Sequence, residues 1–564
     1  MILLIERLRN TYTKSAFNYN WVVYLSVITS IVLSLTEASF LGSIYALVSH
    51  LSDPINNNFA LGDKMFVLFS KFFYLNITSF YLLLCGIIII KITFLKILNT
   101  FLNTFLFYKI STVVSSKIFF NTISQDLKFH NSTNSSSLIS AIIQKSKSTG
   151  EITFFVLNII KSLCMLITIT LFSIYFSSKD FLLFFLIFFM IFYLIYIIFK
   201  KKLKNLGIKI ASSNDNTIKI LQENYSSIVF IILYKCQKII TKTLRKSLIK
   251  LRKSESQVVF LSTVPYIFIQ TFTILAILFS IHYFQLRNNF ISFIPLAAMW
   301  LLAIQRLIPS FNELFSSLSS IKSLEQNFAD TESLLNLYNE NDDKELKNQD
   351  INFDNKIKFQ DVSFAYDAKS IRIIDKLNFQ IKKKTTFGIK GKTGSGKTTL
   401  INLLIGNYQP SSGNLLIDDI QLSKKNLDSW KNKIAYVPQK VFLFDDSIRS
   451  NIAFAEENID EDLIKKAINV ACLNEFIDQK EEGLNSIIGE NADRISGGQK
   501  QRIGIARAIY KNTNIIILDE ALNSLDRDTK IKVLENLKLL NKTIILISHD
   551  NSDFDICDNF INLN

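Results

Sequence analysis

Cysteine and proline are both scarce in this chain, with 5 cysteines and 6 prolines among 564 residues. No two cysteines have the C-x-x-C spacing of a metal or redox site, so we expect packed free thiols and no disulfide framework. Hydrophobic residues, in contrast, make up 49% of the chain, and phenylalanine alone occurs 48 times. A soluble enzyme rarely has this composition, so part of the chain is predicted to lie in lipid.

Acidic residues are also in deficit, because 48 Asp and Glu stand against 63 Lys and Arg and give a formal net charge of +15. Such an excess can indicate a nucleic-acid partner. Here the basic residues are concentrated in two connections between apolar segments and are not interleaved with aromatic residues. The sequence therefore predicts no nucleic-acid partner. Residues 1–19 also lack the small-residue cleavage site of a signal peptide.

Six segments have the length and apolarity of membrane-spanning helices, about 20 residues for a hydrocarbon core of ~30 Å. They are residues 21–48, 79–102, 152–176, 181–199, 258–283 and 290–309. The two basic connections follow the second and the fourth segment. By the positive-inside rule these connections and both termini are cytoplasmic. The sequence thus predicts a multi-pass protein of the cytoplasmic (inner) membrane.

The two basic connections keep a helical periodicity of apolar residues, so each pair of spans is predicted to continue beyond the bilayer as a helical hairpin. The predicted turns are residues 130–137 and 212–217. Two amphipathic stretches leave alternatives open. Residues 1–9 suit either a membrane surface or a frayed terminus, and residues 61–73 suit either a short helix at the outer interface or an early start of the second span.

A phosphate-binding loop is the strongest motif of the C-terminal part. Residues 391–399 fit G-x-x-x-x-G-K-[ST] between a predicted strand and a predicted helix, which is the context that the motif requires. The glycines let backbone N–H groups surround phosphate oxygens, Lys397 can reach the terminal phosphates and Thr398 can ligate Mg²⁺. The predicted ATP-binding residues of this loop are Gly391, Thr393, Gly394, Ser395, Gly396, Lys397, Thr398 and Thr399.

Polar residues at the ends of two further predicted strands fit catalysis of ATP hydrolysis. Residues 515–520 form an apolar run that ends in two carboxylates. Asp519 suits Mg²⁺ binding, and Glu520 suits a general base that polarises the attacking water. Gln439 is predicted to meet both Mg²⁺ and that water, and His549, which follows another apolar strand, is predicted to contact the γ-phosphate.

Three more signals complete the predicted nucleotide site. Tyr366 precedes the loop and is predicted to stack on adenine. Residues 495–499 open a predicted helix, so their backbone N–H groups form a second phosphate cradle. Residues 523–526 follow Glu520 as a polar turn. The predicted ATP-binding residues therefore also include Tyr366, Ser496, Gly497, Gly498, Gln499 and Asp526.

In this order the motifs resemble those of the nucleotide-binding domain of ATP-binding cassette (ABC) proteins, over residues 352–564. The resemblance implies ATP and Mg²⁺ as cofactors, and two such domains that meet head to tail with ATP between Walker A of one and the signature of the other. With six spans ahead of it, the domain resembles that of exporter-class half-transporters. The implied organisation is a helical transmembrane domain over 1–330, a linker over 331–351 and an α/β P-loop ATPase domain over 352–564. A homodimer is the simplest assembly.

Ionisable residues inside the predicted spans bear on the substrate. Glu37, Lys91 and Arg306 lie where charge is costly and often functional, which suggests a basic, polar-lined cavity for an anionic headgroup such as a pyrophosphate. The alternatives are pairing among these residues or snorkelling to the interface.

Three stretches, residues 35–37, 61–73 and 303–310, also resemble the bacterial flippases of lipid-linked oligosaccharides, although Tyr266 stands where those flippases carry a basic residue. This resemblance implies ATP-driven flipping of a lipid-linked oligosaccharide or glycolipid, with membrane lipid as a partner. A peptide or multidrug exporter is the alternative, and a membrane ATPase that gates or senses is a third hypothesis.

Overall fold

The computed structural model describes residues 2–15, 17–52, 77–176, 179–286, 290–337, 349–366, 372–392, 394–489 and 495–563. The chain divides into two compact units. The helical unit comprises Met1–Gln125 and Phe129–Tyr338, and the mixed α/β unit comprises Asp126–Lys128 and Asn339–Asn564.

Six long helices, with shorter ones before and between them, make up the described part of the helical unit. Apolar side chains recur along them for many turns, and the longest has 50 residues. In chain order they are α1 (Ile2–Lys14), α2 (Asn20–Ser52), α3 (Ile77–Ile123), α4 (Leu127–Ser132), α5 (Ser135–Ser140), a π-helical turn (Ala141–Lys145), α6 (Lys147–Phe176), α7 (Lys179–Ser226), α8 (Ile228–Leu233), α9 (Gln237–Leu286) and α10 (Phe290–Leu335).

Each of the six predicted spans lies within one of these helices, namely α2, α3, α6, α7, α9 and α10. Among the described residues, three helical stretches are long and apolar enough to cross a membrane: Asn20–Leu51, Thr78–Ile123 and Ser135–Tyr175. The predicted continuation beyond the spans is also observed, since α3, α7 and α9 extend well past the predicted segments. The stretch 61–73 lies outside the described residues.

The second predicted turn is wrong, because residues 212–217 lie inside α7 and the chain reverses around α8 instead. The polar side chains that suggested a turn face the antiparallel helix α9. Thr217 Oγ1 lies 3.0 Å from Ser247 Oγ, and Asn216 Nδ2 donates to the same hydroxyl at 3.3 Å. Polar residues can lie in the middle of a helix when their side chains bond to a neighbouring helix. The sequence pattern of one helix does not reveal such a partner.

Residues 2–14 are helical and packed, so the frayed-terminus alternative for the start of the chain is wrong. Leu8 of α1 is buried in a cluster with Ile152 of α6 and Phe328 of α10. Arg7 forms an ion pair with Glu332 of α10, and its guanidinium lies 5.0 Å from the centre of the Phe328 ring. The N-terminal helix is therefore fastened to the last turns of α10.

The α/β unit contains two sheets. The strands of the first, a four-stranded antiparallel sheet in the order β2-β1-β4-β5, are β1 (Lys356–Phe364), β2 (Ile374–Lys382), β4 (Ser412–Ile417) and β5 (Ile420–Gln421). The second is a five-stranded parallel sheet in the order β6-β7-β8-β3-β9. Its strands are β3 (Thr386–Gly391), β6 (Ile434–Val437), β7 (Ile515–Asp519), β8 (Thr543–Ser548) and β9 (Asn559–Leu563).

Helices surround the parallel sheet, and strands β7 and β8 are buried along their whole length. Such continuously apolar strands are typical of a parallel sheet that is covered on both faces. The helices are α11 (Lys397–Ile405), α12 (Leu427–Lys431), α13 (Ile448–Ile452), α14 (Glu461–Val470), α15 (Asn474–Asp478), α16 (Gly497–Tyr510) and α17 (Arg527–Lys538), with 3₁₀ turns at Gly483–Asn485 and Asn551–Phe554.

A close approach of α7 to α10 yields a stability prediction. A Cβ added at Gly207 of α7 would lie 2.1 Å from the backbone oxygen of Ser323. We expect Gly207→Ala to lower the unfolding temperature of the detergent-solubilised protein by at least ~2 °C, because overpacking costs about 1–3 kcal/mol. Gly86→Ala is the matched control, since a Cβ at Gly86 meets no atom within 4 Å and gains helix propensity. Equal unfolding temperatures for the two variants would contradict this packing.

Candidate functional site

The predicted catalytic residues meet at one edge of the parallel sheet. Strands β3, β7 and β8 are neighbours in that sheet, so their carboxyl ends lie side by side. The phosphate-binding loop leaves β3, Asp519 ends β7 with Glu520 directly after it, and His549 follows β8. In open α/β sheets ligands bind at this edge.

Backbone conformation shapes the loop between β3 and α11. Gly394 and Gly396 have φ of +88° and +92°, the left-handed region that favours glycine. The buried hydroxyl of Ser395 has no hydrogen-bond partner among the described residues. An orphaned hydroxyl at a helix N-terminus fits an oxygen-rich anion, as a nucleotide phosphate would provide. Thr393 lies outside the described residues.

The carboxylate of Glu520 connects four motifs. Glu520 itself has a φ of 51°, an uncommon value for a residue other than glycine. Gln439 donates to its Oε2 at 2.7 Å, and Asn523 donates to the same atom at 3.3 Å. On the other side, Lys397 Nζ and His549 Nδ1 each lie 3.5 Å from Oε1. The structure thus brings the three predicted catalytic residues together with the loop lysine.

Lys397 and Asp519 are the buried charges of this site. The ammonium of Lys397 also donates to the Gly391 carbonyl at 2.7 Å, which holds it over the loop. Asp519 accepts a hydrogen bond from Tyr436 Oη at 3.0 Å. Burial raises the pKa of Asp519 against the opposing effect of that hydrogen bond. A carboxylate in this setting gains from a nearby cation.

The residues predicted to hold Mg²⁺ fit that ion. Thr398 is exposed at the start of α11, and Asp519 and Gln439 lie at the ends of neighbouring strands. Among the described residues no cluster of three or more His, Cys, Asp or Glu forms a metal cage. Mg²⁺ does not need one, because it keeps several waters and binds through one or two protein groups together with substrate phosphates.

Tyr366 presents an aromatic ring next to the phosphate-binding loop. Its hydroxyl lies 3.2 Å from Thr399 Oγ1 of α11. Its ring packs edge-to-face on Phe364 and Tyr408, with centroid distances of 5.2 and 5.5 Å. Tyr366 nevertheless remains 46% exposed to solvent. A fixed ring with an open surface suits stacking on a base.

The second predicted phosphate cradle lies at the capped start of α16. Ser496 caps α16: its hydroxyl accepts from Gln499 N at 3.2 Å, and Gln499 Oε1 accepts from Ser496 N at 2.8 Å. A Cβ at Gly498 would lie 2.8 Å from Ser524 O, so the helix start is packed on the polar turn. Asp526 caps α17 by accepting from Thr529 N. None of the hydrogen bonds between described residues joins the signature to the phosphate-binding loop.

A cluster of charges also occurs inside the helical unit. The carboxylate of Glu37 is fully buried, with Lys96 Nζ 2.6 Å from Oε1 and Arg306 Nε 3.1 Å from Oε2. The structure therefore pairs Glu37 with Arg306, which is the pairing alternative of the sequence analysis. Lys91 does not join them, since it is exposed on α3.

A cavity of about 260 Å³ lies beside this cluster, between α2, α3, α6 and α10. Lys161 on its wall pairs with Glu313 at 2.5 Å, and Ser162 donates to the other oxygen of Glu313 at 3.0 Å. The lining residues are Leu33, Lys96, Asn99, Thr100, Lys161, Met165, Gln305, Arg306, Pro309, Ser310 and Glu313. The cavity is thus lined by both polar and apolar groups, with three cations among them.

Sequence reasoning missed Lys96, Lys161 and Asn99, although a signal for the two lysines was present. Both lie inside predicted spans, where any ionisable residue suggests function. Asn99 has no such signal. Its amide donates to Ser30 Oγ at 2.8 Å and to Thr29 Oγ1 at 3.0 Å, contacts that depend on how α2 and α3 pack. Asn523 was predicted only as part of the polar turn, and the structure adds a local contact of its amide with the carboxylate of Glu520 at 3.3 Å.

Family comparisons identify the chain. The family model of the ABC transporter transmembrane region matches residues 21–320, and the ABC transporter model matches residues 374–523. This chain belongs to the ABC transporter family. It has one transmembrane region followed by one nucleotide-binding domain, the half-transporter arrangement of the exporter type.

Individual relatives agree with this arrangement. The ATP-dependent lipid A-core flippase of Coxiella burnetii is 28% identical over 555 residues, which cover 95% of this transporter and 88% of the relative. The protein of the same name from Wigglesworthia glossinidia brevipalpis is 40% identical over 196 residues, and that alignment spans only 34% of each chain. A bacterial Atm1-family ABC exporter with ATP bound has the same fold, with a TM-score of 0.79, 17% identity and coverage of 96% and 93%.

The nucleotide site of the transporter yields a binding prediction. We expect Lys397→Ala to weaken binding of Mg·ATP by at least about tenfold, because it removes the buried cation of the phosphate-binding loop. Titration calorimetry on the full chain in detergent measures this. Lys392→Ala, which removes an exposed lysine of the same loop, is expected to bind like the wild type. Equal losses in both variants would contradict the assignment of Lys397.

Proposed function

We propose that this ABC transporter hydrolyses ATP as a homodimer and thereby flips an amphipathic, lipid-linked substrate with an anionic headgroup across the cytoplasmic membrane. The observation that carries the substrate part is the cavity lined by Lys96, Lys161 and Arg306 in the helical unit. Cations within a membrane region are costly and either pair with an anion or serve a function, and these three line a cavity as well as forming ion pairs. Both termini of the chain lie in the cytoplasm in this proposal.

Hydrolysis follows from the groups around Glu520. Its carboxylate is positioned to accept a proton from water, and Gln439 and Asn523 hold its Oε2 by hydrogen bonds. Lys397 faces the phosphates from the loop, and His549 approaches the same carboxylate from β8. Mg²⁺, when bound by Thr398 and Asp519, neutralises charge on the phosphates.

A second copy of the chain completes the site. Each chain has two phosphate cradles, the loop over 391–399 and the start of α16, and no hydrogen bond between described residues connects them. An ATP molecule bound to the loop of one copy can meet the signature residues of the other, namely Ser496, Gly497, Gly498 and Gln499. A two-fold dimer uses both cradles of both copies. ATP-driven closure of the dimer then drives the switch between inward-facing and outward-facing states.

The relatives support a lipid substrate, because both proteins named above are lipid A-core flippases. A lipid-linked oligosaccharide or a glycolipid combines an anionic headgroup with an apolar tail, which suits a charged cavity within a lipid-facing helical unit. The alternative, a peptide or multidrug exporter, is less well supported, because fixed cations repel cationic drugs.

Stimulated ATPase activity tests this proposal. We expect turnover by the protein in nanodiscs to rise when a phosphate-linked lipid saccharide is added, and not when peptides or cationic drugs are added. Glu520→Gln is expected to lower turnover by about 10²–10⁴-fold, since it removes the general base. Stimulation by peptides or drugs alone would support the exporter alternative.

If the lipid binds in the cavity, substitution of a lining cation should change the lipid concentration that stimulates ATPase activity. Arg306→Ala is expected to raise the lipid concentration for half-maximal stimulation by at least about tenfold, because it removes one of three cations. Arg252→Ala is the control, since this arginine is 71% exposed on α9. If both variants respond like the wild type, the lipid does not bind in this cavity.

A further inference from the structure

Glu37 lies behind the wall of the cavity and contacts two of its cations. Its side chain is fully buried, whereas those of Lys96 and Arg306 are 43% and 30% exposed. Neither carboxylate oxygen, nor Arg306 Nε, forms a hydrogen bond of good geometry with another described residue. The three groups are therefore held mainly by charge, and the open sides of both cations line the cavity.

A buried carboxylate without compensation would be strongly destabilising in this environment. Lys96 from α3 and Arg306 from α10 supply that compensation from opposite sides, one at each oxygen. Glu37 thus partly neutralises the charge of each cation on the side away from the cavity, whether or not a ligand is bound. The attraction that the cavity offers to an anion depends on Glu37, although Glu37 does not line the cavity.

The charges of the cavity can be counted. Lys96, Lys161 and Arg306 are positive, while Glu37 and Glu313 are negative and are paired with them. One positive charge is left in excess. A headgroup with one negative charge neutralises this excess. A headgroup with two negative charges leaves a net negative charge, because the carboxylates of Glu37 and Glu313 remain in place when the ligand binds. The desolvation penalty of a doubly charged group is also larger.

We propose that Glu37 determines the charge specificity of the substrate cavity and matches it to a headgroup with a single negative charge, such as a phosphodiester. This inference rests on the proposed function, because it concerns the headgroup of the same lipid substrate. Glu37 acts through Lys96 and Arg306 and is a specificity-determining residue, not a catalytic one. A pyrophosphate-linked or phosphomonoester headgroup carries at least one further charge and is disfavoured.

Direct binding tests the proposal on the purified full chain in detergent. The probes are two polyprenyl lipids with the same chain and the same sugar, one linked by a phosphodiester and one by a pyrophosphate. Wild-type protein is expected to bind the phosphodiester more tightly. Glu37→Gln leaves two positive charges in excess and is expected to shift the ratio of the two dissociation constants by about tenfold toward the pyrophosphate.

Two control variants separate charge from structure. Glu37→Asp keeps the negative charge and is expected to retain the wild-type preference. Glu325→Gln removes a carboxylate that also pairs with two lysines, Lys204 and Lys322, but lies outside the cavity lining. It is expected to leave the ratio unchanged. A shift in Glu37→Gln that is absent from both controls supports the proposal.

Three results would overturn it: binding of neither probe by the wild type, equal binding of both, or a preference that Glu37→Gln does not move. Binding and ATPase stimulation can be compared to separate the two proposals. If the charge preference and its shift in Glu37→Gln are observed but neither lipid stimulates ATP turnover, the proposed flippase function fails and the charge specificity stands.

Discussion

The nucleotide site of this transporter is organised around the carboxylate of Glu520 and its four contacts. Gln439, Lys397 and His549 come from distant parts of the sequence, and the parallel order of β6, β7, β8 and β3 brings them to one sheet edge. Asn523 is a local contact, three residues after Glu520. A general base needs a fixed position and a controlled charge environment. The fold supplies both, because the strand end fixes the backbone and neighbouring motifs hold each carboxylate oxygen.

In the helical unit, the carboxylates near the cavity are likewise held by ion pairs. Charged groups in a membrane region persist only with partners or a function, and each carboxylate of the cavity region has a cation within ion-pair distance: Glu37 pairs with Lys96 and Arg306, and Glu313 pairs with Lys161. The open sides of these cations nevertheless face a cavity. One set of residues thus stabilises the helix packing and offers a place for an anion.

Most of the nucleotide site could be predicted from sequence, because its motifs are local and each carries its own chemistry. The spans were predictable for a similar reason, since hydropathy reports on the solvent of a helix. Pairings between helices were not. Thr217 and its neighbours suggested a turn, yet they bond to α9, and Lys91 was chosen although Lys96 is the residue that meets Glu37. Such contacts depend on rotation of one helix against another, which a single sequence does not report.

The most direct test of the central claim is lipid movement itself. Proteoliposomes containing the purified transporter and a fluorescent phosphate-linked lipid saccharide allow transfer between leaflets to be followed by chemical quenching of the outer label. The account predicts transfer that requires ATP, stops in Glu520→Gln and slows in Arg306→Ala. ATP turnover with no movement of the lipid, or movement that continues in Glu520→Gln, would contradict it.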